Sequence, residues 1–228
     1  MPATRVMRTK PQSFLSRHSR TGVRFLTAAM LVFVLVSCEQ KASQSAVLMG
    51  KFRDVGAFTF TDQQSRSVQQ TDLRGKVWIA NFIFTSCAAE CLVLSSRFAE
   101  LQRLFVDEKD IAFVSFSVDP QTDTPERLGQ FAARWHADPT KWFFLTGETS
   151  EVDALVKNTF LLPLTRNPIE AGQLMSEKFI HSNRFAIVDR KGTVRCYVDG
   201  LQPESISTIS RIVVELLNES PEIKPHTP

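Results

Sequence analysis

Hydrophobic and polar positions alternate along residues 51–218 in two periods, which predict strands and helices in turn. Nearly continuous apolar runs have the length of buried strands at 77–84, 111–118 and 142–145. Segments with helical spacing of apolar residues follow at 91–105, at 125–135 and from Ser150, a predicted capping residue. A short hairpin opens the pattern at 57–68, and a hairpin at 184–198 and a helix at 204–217 close it. This order predicts an α/β protein with a mixed sheet flanked by helices.

The position of a cysteine pair narrows the choice of fold. Cys87 and Cys91 lie where the first apolar run gives way to a helix. This unit, followed by a terminal hairpin and helix, predicts a thioredoxin-like arrangement. Thioredoxins usually carry a cis-proline opposite their cysteines, but this chain has no proline between Ile169 and Leu201. His181 stands there instead, just before the terminal hairpin, so we expect it to face the cysteines.

The first 37 residues have the layout of an export signal. Residues 1–24 carry six basic side chains and no acidic one, and the next 12 residues are apolar. At ~1.5 Å per residue this run is shorter than the ~30 Å hydrocarbon core of a bilayer. It ends at Leu35-Val36-Ser37-Cys38, which resembles a bacterial lipobox and implies lipidation of Cys38. An uncleaved anchor and secretion without a lipid are the alternatives.

These segments predict the domain organisation. We expect a signal peptide at 1–37, a lipid-anchored tether at 38–50, one domain at 51–218 and a disordered tail at 219–228. The predicted location is the bacterial cell envelope, on the membrane and facing the periplasm or extracytoplasmic space. Without the six basic residues at 1–24, the chain keeps 21 of its 27 basic residues against 24 acidic ones. This slightly acidic domain has no electrostatic basis for nucleic-acid binding. We also expect the protein to be a monomer.

The spacing of Cys87 and Cys91 suits either metal binding or redox chemistry. Positions i and i+4 share one face of a helical turn, with Cβ atoms about 5–6 Å apart. A helix N-terminus lowers the pKa of a thiol, so we expect that effect here. Thiolates are soft ligands that select Cu(I) or Zn(II) over hard cations. The pair can therefore share one metal ion or close a disulfide.

Imidazole is the obvious further ligand, and His181 is the best candidate. Of the other histidines, His18 lies in the predicted signal and His226 in the predicted tail. His136 follows a helix end, where the helix dipole favours a solvated imidazolium.

Five motifs together resemble the SCO/SenC family over residues 50–218: LRGKV at 73–77, NFIFTSCAAEC at 81–91, FSVDPQTDTP at 116–125, LTG at 145–147 and HS at 181–182. The resemblance implies that Cys87, Cys91 and His181 bind copper, as Cu(I) and also as Cu(II), and that Asp119 supports the site. It also implies metallation or thiol reduction of the binuclear copper site of cytochrome c oxidase subunit II. The family commonly has Cys-Pro-x-x-Cys-Pro with a central Asp, whereas this chain has CAAECL. These differences bear on the reduction potential and on the partner, so another copper protein is the alternative client.

Other readings of the cysteines stay open. A metal-independent thiol–disulfide oxidoreductase would use Cys87 as its nucleophile, and a structural disulfide would leave the pair inert. A peroxiredoxin is disfavoured because Ala80 and Phe84 replace the proline and threonine it requires. Cys196 alternates with valines on its strand and is predicted to be a core residue. The segment 161–178 is predicted to be a long loop, and we hypothesise that it moves His181 relative to the thiols.

Overall fold

The computed structural model describes residues 50–87, 90–167 and 179–219, without the side chains of residues 180 and 181. The predicted signal peptide, Cys38 and its tether up to residue 49, and positions 220–228 of the predicted tail lie outside this part of the chain. Within it, no helix is both long and apolar enough to cross a membrane.

The described residues form ten strands and four α-helices. The strands are β1 (Arg53–Asp54), β2 (Thr59–Thr61), β3 (Ser67–Gln69), β4 (Val77–Ile83), β5 (Ile111–Ser117), β6 (Trp142–Leu145), β7 (Leu164–Arg166), β8 (Phe179–His181), β9 (Arg184–Val188) and β10 (Thr193–Asp199). The helices are α1 (Glu90–Leu104), α2 (Pro125–Arg134), α3 (Thr149–Ala154) and α4 (Ser205–Asn218), and a π-helical turn, Leu155–Thr159, extends α3.

Six strands form the central sheet in the order β1-β10-β9-β4-β5-β6. Strands β4, β5 and β6 are parallel, whereas β9 is antiparallel to β4 and β10 is antiparallel to β9. All seven residues of β4 and of β5 are buried, because both faces of the sheet are covered. The thioredoxin-like arrangement predicted from the order of elements is confirmed.

Aromatic side chains fill the core on both faces of this sheet. On one face, the ring of Phe98 from α1 lies 4.9 Å from Phe185 and 5.5 Å from Phe113. On the other, the ring of Phe160 lies 5.2 Å from Phe82. The Phe-rich strands are therefore part of the packed core.

The N-terminal ends of two helices differ from each other. The side chain of Thr124 caps α2 by accepting a hydrogen bond from the backbone N–H of Arg127, and Pro125 occupies the first turn. The capping role predicted for Ser150 is wrong, because α3 already begins at Thr149. Its N-cap residue, Glu148, makes no capping hydrogen bond through its side chain.

The segment predicted as a loop at 161–178 contains a strand. Strand β7 pairs with β8 in an antiparallel ribbon, with Leu164 opposite His181 and Arg166 opposite Phe179. Three residues are too few to show a periodicity in the sequence, so the pairing was not predicted.

The domain extends at least one residue past its predicted end. Glu219, the first residue of the predicted tail, accepts hydrogen bonds of 2.7 and 2.9 Å from the guanidinium of Arg195. This pairing holds the pKa of the Glu219 carboxyl below its usual range.

Candidate metal centre

The two predicted cysteines lie between the end of β4 and the start of α1. The backbone N–H of Cys87 donates to the carbonyl of Phe84 at 3.1 Å, in a turn directly after β4. Cys91 is the second residue of α1. The Cys87 side chain is 5% exposed and that of Cys91 is fully buried, and the two thiols hydrogen-bond to each other. No disulfide joins the cysteines of the described chain.

The electrostatics of this pair differ from the sequence expectation. We expected the helix N-terminus to lower the thiol pKa, but the pKa of Cys91 is raised. The hydrogen bond with Cys87 is the largest cause, and burial, which penalises the charged thiolate, is the second. The Cys91 thiol therefore stays protonated at neutral pH unless a cation replaces its proton.

Asp119 lies at the same edge of the sheet as the thiols. Because β4 and β5 are parallel, with Ile83 opposite Ser117, the residues that follow both strands emerge together. Asp119 is 2% exposed, and its backbone carbonyl accepts the N–H groups of Thr122 and Asp123 at 3.0 and 2.8 Å. This turn closes the end of β5 beside the loop that carries Cys87.

Asp123 connects the two loops, a role that our sequence analysis missed. Its carboxylate is fully buried and accepts hydrogen bonds from the Thr85 backbone N–H at 3.0 Å and from the Thr85 hydroxyl. It also accepts the hydroxyl proton of Ser117 at 2.6 Å. Burial raises the pKa of Asp123 despite these donors. Because Thr85 is two residues before Cys87, Asp123 helps to fix the cysteine loop.

The ribbon that contains His181 touches the same edge through two aromatic rings. The ring of Phe179, in β8, lies 5.0 Å from that of Phe84, at the start of the cysteine loop. The backbone of His181 is two residues further along β8, and its imidazole lies outside the described side chains. The structure thus brings Cys87, Cys91 and Asp119 to one edge, together with the strand that includes His181.

Two residues set aside by the sequence analysis lie elsewhere. Cys196 is 1% exposed on β10, and burial raises its pKa to about 12, so its predicted core role is confirmed. His136 is exposed just after α2, and its carbonyl accepts a hydrogen bond from Gln102 near the C-terminal end of α1. Because Cys91 and Gln102 are 11 residues apart, α1 separates His136 from the thiols by roughly 16 Å.

A thioredoxin-like fold with two contacting thiols at the start of its first α-helix defines the class: thioredoxin-like dithiol proteins. Comparison with protein-family models then identifies the branch, because residues 48–218 match the SCO1/SenC family. The chain belongs to this family, as its motifs indicated.

Curated and solved relatives agree with this assignment. A SCO1 protein homolog of Bacillus subtilis is 30% identical over 182 residues, which cover 79% of this chain and 89% of the homolog. The structure resembles that of a SCO1/SenC family lipoprotein from Bacillus anthracis, with a TM-score of 0.65, 32% identity, and coverage of 72% and 95% of the two chains. It also resembles BsSco, described as a member of the Sco family of cytochrome c oxidase assembly proteins with a disulfide switch, with a TM-score of 0.63, 30% identity, and coverage of 74% and 95%.

A more distant neighbour has been solved with copper bound. ScoI of Bradyrhizobium japonicum is 22% identical, with a TM-score of 0.59 and coverage of 70% of this chain and 99% of that one. At this identity the likeness concerns the fold alone.

Proposed function

We propose that this protein is a copper chaperone of the cell envelope that binds one copper ion through Cys87, Cys91 and His181. It would either deliver this copper to the binuclear copper site of cytochrome c oxidase or use its thiols to reduce that site's cysteines. The contact between the two buried thiols is the observation that carries the proposal, because it offers one soft ion two sulfur ligands at once.

The surroundings of the thiols fit a soft monovalent cation. Both side chains are at most 5% exposed, so two bare thiolates there would be costly. A bound Cu(I) ion would replace their protons and offset half of the resulting negative charge. A hard cation such as Mg²⁺ prefers oxygen ligands and gains little from such a pair.

The ribbon of β7 and β8 supports His181 as the third ligand. Residues 179 and 181 are alternate positions of one strand, and alternate positions share a face. Phe179 already contacts Phe84 beside the cysteine loop. The closeness of this strand to the cysteine loop supports His181 as the residue that completes a Cys₂His site.

The relatives support cytochrome c oxidase assembly as the context. BsSco, at 30% identity, is described as a member of a family of assembly proteins of that oxidase. The CAAECL sequence around the thiols differs from the family's usual prolines, which leaves another copper protein as the alternative client.

A metal-independent thiol–disulfide oxidoreductase is the second candidate, and the same thiol contact favours it. Two reduced thiols within hydrogen-bonding distance can close a disulfide without moving far. This function needs the Cys87 and Cys91 sulfurs but not His181, so removal of the imidazole separates the two candidates.

The test is a Cu(I) titration of residues 39–228 against a competing chromophoric chelator. The wild-type chain should bind one equivalent. His181→Asn should bind more weakly by over 10-fold, since loss of a ligand costs at least as much as loss of an outer partner. His136→Asn is the matched control, because His136 is an exposed histidine with φ of 50°, which asparagine tolerates.

The outcomes separate the candidates. A chaperone loses affinity in His181→Asn and keeps it in His136→Asn. An oxidoreductase shows equal, weak copper binding in all three chains and unchanged exchange with a disulfide substrate. That second result would refute the copper site.

A further inference from the structure

Arg166 joins the β7–β8 ribbon to two other parts of the domain. Its Nε donates to the carboxylate of Asp153 in α3 at 3.1 Å, and Nη2 contacts the same carboxylate. Its Nη1 donates to the backbone carbonyl of Val118 at 2.8 Å, next to Asp119 at the end of β5. The guanidinium also lies 5.2 Å from the centre of the Phe179 ring, within range of a cation–π contact.

The ribbon depends on such contacts for its position. Strands β7 and β8 pair with each other and form a sheet separate from the six-stranded one. A two-stranded ribbon of three residues per strand is not stable by itself in water. Its backbone pairing fixes the register between Arg166 and Phe179 but not the place of the ribbon on the domain.

We propose that Arg166 is the positioning residue that holds the β7–β8 ribbon, and with it His181, against the edge that carries the thiols. The expected effect on copper binding rests on the proposed function, whereas the anchoring of the ribbon rests on the contacts of Arg166 alone. Arg166 lies opposite Phe179 in the ribbon, and His181 is two residues beyond Phe179. Loss of the guanidinium removes the ribbon's polar bonds to α3 and to the end of β5 together, and leaves the packing of Leu164 and Phe179 against the core.

Arg190 provides a matched control. Its side chain is 26% exposed and that of Arg166 is 30% exposed. It pairs with Asp110 at 2.7 Å and donates to the backbone carbonyl of Gly75 at 2.8 Å. These residues precede β5 and β4, so Arg190 anchors the opposite edge of the sheet with similar bonds.

The first measurement needs no metal: amide hydrogen exchange of residues 39–228 with reduced thiols. Arg166→Ala should speed exchange at 164–166 and 179–181 by about 10-fold or more relative to wild type. Arg190→Ala should leave those amides unchanged, and Arg166→Lys should fall between because it keeps the charge without the forked donors. Unchanged exchange of the ribbon in Arg166→Ala would overturn the inference.

The second measurement is the Cu(I) affinity of the same variants and of the Arg166→Ala/His181→Asn double variant. Arg166→Ala should weaken binding by about 10-fold, as outer partners of metal ligands do. The double variant should bind no more weakly than His181→Asn alone, because both changes act through one imidazole. The dithiol midpoint potential should not change.

These readouts separate failure of the inference from failure of the proposed function. If His181→Asn weakens copper binding and Arg166→Ala does not, the positioning role is wrong and the copper site stands. If Arg166→Ala weakens binding additively with His181→Asn, it acts by another route and the inference is also overturned. If neither variant changes the affinity, the Cys₂His site is refuted, and with it the role of Arg166 in copper binding.

Discussion

Removal of the Asp123 carboxylate tests how the cysteine loop is held. The Asp123→Ala change leaves three donors without their acceptor: the N–H and hydroxyl of Thr85 and the hydroxyl of Ser117. Ser117 is fully buried, whereas Thr85 is partly exposed and can turn to water. Because Thr85 is two residues before Cys87, the same change should loosen the loop that carries the first thiol.

The magnitude follows from these burials. An unsatisfied buried donor costs about 1–3 kcal/mol, and loss of the costly buried charge offsets part of the sum. We expect Asp123→Ala to lower the free energy of unfolding by about 3 kcal/mol. For a domain of this size that corresponds to a fall in Tm of roughly 6–12 °C. Asp123→Asn should lose less than about 1 kcal/mol, because the amide keeps the shape and the hydroxyls can rotate to accept from it.

The assay combines urea unfolding with Cu(I) affinity, and Asp62→Ala is the control. The Asp62 carboxylate is fully buried and accepts hydrogen bonds from the backbone N–H groups of Gln64 and Arg66, but in the turn between β2 and β3. Both alanine variants should lose stability, and Asp123→Ala alone should also lose about 10-fold in copper affinity. The reasoning is refuted if Asp123→Ala costs under about 1 kcal/mol or if Asp123→Asn costs as much.

Two further predictions concern acid stability and the N-terminus. The hydrogen bond with Arg166 lowers the pKa of Asp153. The pair therefore contributes its full stabilisation at a pH above the ordinary carboxyl pKa of about 4. This contribution is lost as the pH falls through the lowered pKa. Urea unfolding should therefore show wild type about 1 kcal/mol more stable than Asp153→Asn at pH 7 and a smaller gap at pH 3; a constant gap would contradict the shift. Mass spectrometry of the mature chain from a bacterial membrane should find an acylated Cys38 at its N-terminus, and Cys38→Ser should remain unprocessed. Retention of residues 1–37 in the wild type, or a mature chain without lipid, would contradict the predicted anchor.

Most of the fold could be predicted because its signals are local. The buried strands β4 and β5 are continuous apolar runs, and Pro125 marks the start of α2. The signals failed where an element is too short to show a period, as in β7, or where a helix starts without a side-chain cap, as in α3.

The two thiols of the candidate site were predictable from the sequence, whereas the residues that support them were not. The spacing of Cys87 and Cys91 alone predicted that their thiols could meet. The raised pKa of Cys91 was not expected, because its causes, the hydrogen bond with Cys87 and then burial, depend on how the chain packs around the start of α1. A cluster of Ser117, Asp119 and Asp123 after an apolar strand was the available signal for the missed carboxylate.

The sequence by itself determined the order of the longer strands and of the helices, the thiol pair and the family. Each of these is written in neighbouring residues, through periodicity, spacing or motif. Only the tertiary structure decided that Asp123 holds Thr85, 38 residues away, and that Arg166 reaches back 48 residues to Val118. Such bonds depend on which loops the parallel strands bring to one edge, and that proximity arises from the packing of the whole chain.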